Sequence, residues 1–478
     1  MGYKHGTSVS ENPTSLKAFN IVKTPAVIIG MAPINQIPVG KRSINKTELI
    51  MNVGEATEIF GGPNLVEGFT ISEALYVFFQ LFGVSPIICV NVIDPSKHKT
   101  SKELSEAILI EGKYTFKEVG ILPETLELTT DITQLKEEDY SWYFEPNGQL
   151  TIEIHEKEIV KVAATYDFLD ISKVTKTDII GSIDLVSLEA KGLELLGGIY
   201  QKYSMIPSVV ITPNFSSDSE VRAILDTKAS LIGGKWGSMS IVELPDTLKY
   251  GETIKFKKDK NFIDEDQILV YGKGRMGEKI FHQDILLAAL MNSVDGSNDG
   301  IPYESPSNKN IKVEGISYKL DEEYVSLSLE ENQANLLNEN GILTIIQRPN
   351  GTVAWGNHTS AFQPGGTTDV KDIMIPIKRM FKFIGNTIML NTEAEVDKPM
   401  TYAKAESIKT DINVFLNSLT SQGKILGGRV EFLESENPKD AILSGQFKWH
   451  LYFGGVIPGQ SLHYILEYDP GYLKAFFS

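Results

Sequence analysis

Cysteine is almost missing: the 478 residues contain one, Cys89. No intrachain disulfide framework can be built from it, and its apolar neighbours make it a buried, inert thiol rather than a nucleophile. Basic residues are in deficit, 45 Lys and Arg against 62 Asp and Glu, which leaves a net charge of −17. Such a surface repels phosphate and anionic lipid, which disfavours a general affinity for nucleic acid or membrane. The seven histidines are scattered at positions 5, 98, 155, 282, 358, 450 and 463. No H-E-x-x-H, G-x-S-x-G or Walker A sequence occurs, so those metalloprotease, hydrolase and NTPase signatures are absent. Residues 1–6 lack the apolar core of a secretory signal, so export by that route is not expected.

Long apolar runs are scarce as well. One reaches the length of a membrane span: residues 74–93 carry no charge. Gly83, Ser85 and Pro86 break it in the middle, and Gln80 and Asn91 add polar groups. The expectation is a helix from about 70 to 82, opened by a Thr70-x-x-Glu73 capping box, then a strand over 87–93.

Apolar strands alternating with helices supply the frame. Ala26-Val27-Ile28-Ile29-Gly30 has the continuous apolar pattern of a sheet covered on both faces. Further along, a helix is expected near 186–203 and a strand at 208–212. A second capping box at Ser217 and Glu220 should open a helix ending at Gly233-Gly234, before a strand at 236–244. This alternation predicts a layered α/β domain. Residues 111–178 interrupt it with 15 acidic and 7 basic residues and short alternating segments such as Thr151-Ile152-Glu153-Ile154-His155. That window reads as a β-rich, solvent-facing insertion. After about residue 340, a hairpin flanks Pro349-Asn350-Gly351, helical patterns cover 372–390 and 403–422, and strands follow at 427–433 and 446–453. The last segment alternates Leu462, Tyr464, Leu466 and Tyr468 beyond Pro458-Gly459, the pattern of a strand without a local partner.

Two motifs raise chemistry and are weighed against plainer readings. Gly272-Lys273-Gly274-Arg275-Met276-Gly277 is a literal G-x-G-x-x-G after the apolar run 268–271. In a dinucleotide fold it would bring backbone to a pyrophosphate, but no second strand ends in the acid that should hold the ribose. The preferred reading is a glycine-rich loop entering a helix at 279–291; the alternative is a dinucleotide-binding oxidoreductase. Residues 295–300 imitate the start of a calcium loop, yet its twelfth position is Pro306, which offers no ligand atom. Lys371, Lys378, Arg379 and Lys382 against Asp372 place +3 on one helical segment. That is a solvated face by default and a docking surface for an acidic partner as the alternative. No catalytic, metal or cofactor residue is assigned.

Four stretches together resemble the contractile tail sheath proteins of phages and R-type bacteriocins. They are Leu337-Asn338-Glu339-Asn340-Gly341-Ile342 running through Arg348-Pro349 to Val353-Ala354-Trp355-Gly356-Asn357; the loop Asn437-Pro438-Lys439-Asp440-Ala441-Ile442-Leu443-Ser444-Gly445; the ending from Phe453 to Tyr468; and 207–213 with Phe215-Ser216-Ser217-Asp218. The resemblance implies an α/β and α+β multidomain chain, with a layered α/β sheath domain (25–95 plus 181–340) interrupted by an inserted acidic β-rich domain (96–180). A C-terminal α+β tube-facing domain (341–457) and terminal arms (1–24 and 458–478) complete it. It further implies a structural homopolymer of stacked hexameric rings around an inner tail tube, with baseplate and tail terminator proteins as partners. No enzyme activity, cofactor, nucleic acid or membrane is implied. Assembly would occur in the host bacterial cytoplasm, as part of a phage tail or a released bacteriocin. By the same resemblance the arms would be donated to neighbours through Thr7, Val9, Leu462, Tyr464, Leu466 and Tyr468. The inner tube would meet Lys371, Lys378, Arg379 and Lys382.

Overall fold

Strands built from Val, Ile and Leu and covered on both faces make the centre of the molecule, as parallel sheets require. The structure is a computed structural model describing residues 19–21, 23–62, 64–130 and 133–476. Ala26–Gly30, Ile87–Asn91, Met239–Glu243 and Gln267–Val270 are buried at every position. They join an eight-stranded sheet whose order is Gly351–Trp355, Ile342–Arg348, Gln267–Val270, Met239–Glu243, Val209–Ile211, Ala26–Gly30, Ile87–Asn91 and Thr47–Ile50. The inner six strands run parallel and the two edges antiparallel. The hairpin 342–355, expected at the head of the C-terminal domain, is therefore the edge of this large sheet, because Leu269 and Val270 pair with Ile342 and Leu343.

The helices cover the sheet, with local departures from the sequence expectations. Thr70–Leu75 runs straight into a wider π-turn segment, Tyr76–Phe82. Its expected capping box is not formed: Thr70 Oγ1 accepts from Met31 N (3.0 Å), and Glu73 turns to His282. Asp218, not Ser217, caps Ser219–Ser230, accepting from Glu220 N and Val221 N. The helix placed near 186–203 is shorter, a 3-10 segment Gly192–Gly198 followed by Ile199–Tyr203; residues 183–190 form a loop instead. The glycine motif is a β-hairpin, Lys273–Met276 against Lys279–Phe281, with the helix Gln283–Gly296 beginning only after it. Gly274 is needed there for packing, since a Cβ would stand 2.3 Å from Leu286 Cδ1.

Residues 99–169 form two three-stranded antiparallel sheets. They enclose a core of their own, with Phe116, Leu128, Leu150, Ile152 and Val162 at its centre. The two ends of this unit meet where Asp170 N donates to His98 O (2.9 Å). A third core gathers Met380, Phe383, Ile384, Ile412, Phe415 and Leu416 beneath the strand pair Ile425–Glu431 and His450–Gly455. Among the described residues no helix is long and apolar enough to cross a membrane.

Charges are buried where the large sheet meets the 273–281 hairpin. Lys273 Nζ lies 2.5 Å from Glu243 Oε2, and Glu243 Oε1 accepts from Gln283 N (2.7 Å). His282 Nδ1 lies 2.7 Å from Glu73 Oε2; burial is the largest influence and opposes the charged imidazole, but Glu73 and Glu243 together hold the ring above its ordinary pKa. Asp284 is fully buried and its Oδ2 has no partner. Burial, reinforced by Glu243, pushes its carboxyl up to about 8. A group whose folded pKa is raised contributes stability that is complete below its unfolded pKa and lost as pH rises to the folded one. Asp284 therefore makes the fold less stable from about pH 4 to pH 8. Asp284→Asn should flatten that slope and raise the melting temperature at pH 8 by about 2 °C or more, measured by calorimetry against wild type.

Candidate assembly interface

The C-terminal region presents an acceptor and a donor for β-pairing. The strands Ile425–Glu431 and His450–Gly455 pair only with each other among the described residues, so neither has a strand on its outer edge, where Val430 alone is engaged, by Asn413. One face lies on the helix Tyr402–Ser421 so closely that a Cβ on Gly428 would stand 3.3 Å from three Leu416 carbons. Asn413 pins the pair from behind: its Oδ1 accepts from Val430 N (3.0 Å).

From this strand pair the chain runs outward. Residues 456–469 have no regular structure, and no hydrogen bond or ion pair involves 461–468. The alternating residues read from the sequence stand in solvent, Leu462 73%, Tyr464 78%, Leu466 95% and Tyr468 76% exposed. Side chains at i and i+2 share one face of a strand, and each of these is worth about 1.5–3 kcal/mol on full burial. Gln460 Nε2, 3.2 Å from His358 Nε2 and 3.8 Å from Met374 Sδ, fixes the root of the arm. Thr7 and Val9 lie outside the described residues. The described chain begins beside the same unit, with Phe19 stacked on Phe415 at 5.1 Å and Asn20 N donating to Asn391 Oδ1 (2.9 Å).

The basic cluster expected to meet a partner is largely turned inward. Arg379 is 3% exposed and forks onto Asp295, with Nη1 3.0 Å from Oδ1. Burial pushes the Asp295 carboxyl up, and Arg379 acts against it. Lys378 Nζ lies 3.3 Å from both Asp266 and Asp372, and Lys382 Nζ lies 2.6 Å from Asp266. Lys371 is the cation of this set at the surface, 2.6 Å from Asp372. A desolvated guanidinium beside a buried carboxylate cannot also engage a partner, which corrects the expected tube contact at Arg379. Asp295 stands in the sequence at the head of a calcium-like loop; its partner lies 84 residues away and no local pattern joins them.

Among the described residues, the motifs that raised chemistry do not build a site. The glycine hairpin has no helix N-terminus above its glycines, and Cys89 is buried with its thiol pKa pushed up by desolvation. Among the described residues no cluster of His, Cys, Asp and Glu is arranged to hold a metal ion.

A strand pair without a third strand, an exposed arm and a layered α/β body make a fold shared with solved chains of contractile particles. It superposes on a chain of the anti-feeding prophage baseplate with a TM-score of 0.59 at 14% identity, covering 98% of this chain and 100% of that one. The contracted sheath complex of the extracellular contractile injection system PVC gives 0.59 at 12% identity, covering 99% of each chain. In sequence, the chain is 25% identical to the tail sheath protein of Burkholderia phage BcepMu over 491 aligned positions, 98% of each. It is 26% identical to the major tail sheath protein of Serratia phage KSP20 over 204 positions, 39% of this chain and 50% of that relative. No family model matches. The resemblance to contractile tail sheath proteins is borne out along the whole chain, and these relatives are structural proteins, not enzymes.

Removing one member of a buried pair leaves the other charge unpaired and costs about 3–5 kcal/mol. Arg379→Ala should lower stability by about that amount in urea unfolding, whereas Arg379→Met combined with Asp295→Leu should lose far less.

Proposed function

We propose that this chain is the sheath subunit of a contractile injection particle. Copies polymerise around an inner tube in a metastable extended lattice, which shortens and widens to drive the tube through a target envelope. The observation that carries this is the exposed, alternating arm at 461–468 leaving a unit whose strand pair has no strand on its outer edges among the described residues. A strand lacking a partner and a sheet lacking a strand are both relieved by β-addition from another copy. Such exchange is heterologous and propagates rather than closing as a dimer. Contraction is a shift between two lattices of the same subunits, so the energy is stored in assembly and no nucleotide is required.

In this reading the unit around 425–455 lies innermost, and the tube meets its surface through Lys371 and uncharged groups rather than through the paired Lys378 and Lys382. The acidic insertion stands outward, supported by its separate core and its −8 share of the charge. Baseplate and terminator proteins cap the polymer, and assembly occurs in a bacterial cytoplasm as part of a phage tail or bacteriocin.

Negative-stain microscopy of the purified chain tests the reading: hollow striated cylinders are expected, and solitary particles at high concentration would sink it. Deleting 458–478 should abolish the cylinders and leave the melting temperature within about 2 °C of wild type, since the arm contacts little of its own chain. Replacing 99–169 by a short Gly-Ser link should leave polymerisation intact, because His98 and Asp170 already meet. Loss of cylinders in that variant, folded by circular dichroism, would place the insertion in the lattice contacts instead.

A further inference from the structure

Residues 181–191 form a closed loop on the helical layer. Its feet are glycines the backbone demands: Gly181 has φ +72 and a Cβ would stand 1.8 Å from Lys191 O, while Gly192 has φ +56 and a Cβ would stand 2.3 Å from Ile179 O. Between them Lys191 N donates to Ser182 O (2.9 Å), Asp184 N to Glu189 O (3.0 Å) and Leu188 N to Asp184 O (2.8 Å). Asp184 Oδ1 accepts from Val186 N and Ser187 N, each at 2.8 Å. The tip is internally bonded, yet what it displays is apolar, with Leu185 89%, Val186 95% and Leu188 74% exposed. Ordered apolar side chains clustered in water mark a contact surface.

Two observations choose the occupant. The loop is flanked by Asp184 and Glu189 and carries no aromatic residue, which suits neither an anionic lipid surface nor its headgroup belt. On the same helical layer lies a cavity of about 420 Å³, walled by Gly197, Tyr200, Gln201, Ser204 and Gly233 and floored by Trp236. The rings of Tyr200 and Trp236 are 4.6 Å apart. At its mouth Lys235 reaches from the Trp236 ring to Glu393, an ion pair without net charge, so the fit of the loop rests on shape and apolar contact. Loop and cavity sit at opposite ends of the 192–201 run, about 15–20 Å apart along it, and the loop's exposure shows that it does not fill its own cavity. A knob and a hole at different places on one chain make a repeating contact between copies.

We propose that Leu185, Val186 and Leu188 insert into the Tyr200–Trp236 cavity of a second copy of this chain, a contact that rests on the polymer reading above and is separate from the arms. The test uses full-length chains. Val186→Cys and Gln201→Cys variants are mixed, polymerised and mildly oxidised; a disulfide dimer is expected in the mixture and from neither variant alone, because native Cys89 is buried. Cylinders without that dimer would overturn the contact while leaving the sheath reading standing, whereas absence of wild-type cylinders would sink both. Replacing Leu185, Val186 and Leu188 together by Ser should raise the concentration needed for polymerisation about tenfold or more, with melting unchanged. An unchanged threshold would overturn the proposal. So would co-sedimentation of wild type with phosphatidylglycerol vesicles that the triple variant loses.

Discussion

Two antiparallel strands with no third are marginal in water, and the C-terminal unit contains such a pair. Two helices behind it supply the missing stability: Leu416 of Tyr402–Ser421 meets Gly428, and Ile377 of Ile375–Thr392 lies where a Cβ of Gly455 would fall, at 2.5 Å. Packing from behind leaves both edges without a strand partner, since a helix covers a face and meets the edge here only where Asn413 takes Val430 N and O. The chain leaving this pair is itself patterned as a strand. It is held at Gln460 to His358 and Met374, groups of the segment between the large sheet and the Ile375–Thr392 helix, and not to the edge of the strand it has just left. Donor and acceptor thus coexist in one polypeptide without satisfying each other.

For arms to join copies usefully, the body between them must move as a unit. The ion pairs on the Ile375–Thr392 helix provide that rigidity. Asp266, just before the strand Gln267–Val270, holds both Lys378 and Lys382, and Asp295, in the last turn of Gln283–Gly296, holds Arg379. Buried pairs of this kind contribute less net stability than apolar packing would, but they tolerate one geometry and penalise every other. They fasten the helical unit to the large sheet, so that in the proposed polymer a lattice change would fall on the connections between copies.

The sequence made the periodic parts legible and hid the distant ones. The continuous apolar strands at 26–30, 87–91 and 267–270 point to a sheet covered on both faces, whereas the alternation of Leu462 to Tyr468 falls on an exposed segment without regular structure. Where residues have two competing partners, local pattern failed. Thr70 and Glu73 fit a capping box, yet each serves a residue far away, Met31 and His282. The glycines of 272–277 fit a phosphate loop, and close approach to Leu286 is what requires one of them. The charges of 371–382 sum to +3 on paper; three of the four cations find acids brought near only by the fold. Residues 186–190 fall in the helix the sequence predicts near 186–203 but form a loop instead, and Gly181 and Gly192 at its feet are the local signal against a helix.

Acidic net charge gives these separate features a common logic. At −17, copies repel one another over the screening distance of about 8 Å at physiological salt, and non-specific clumping is suppressed. In the proposed polymer, association would come from short-range contacts that need correct registration: backbone pairing along an edge, and apolar groups entering a fitted cavity. The first kind tolerates rotation of the body about an extended arm, because the hydrogen bonds reside in the arm and its acceptor sheet. The second does not, since a knob leaves its hole on a small displacement. A polymer with both kinds can keep the arms engaged in two lattices while the shape-matched contacts differ between them, and that difference is a place where the free energy of contraction can be held.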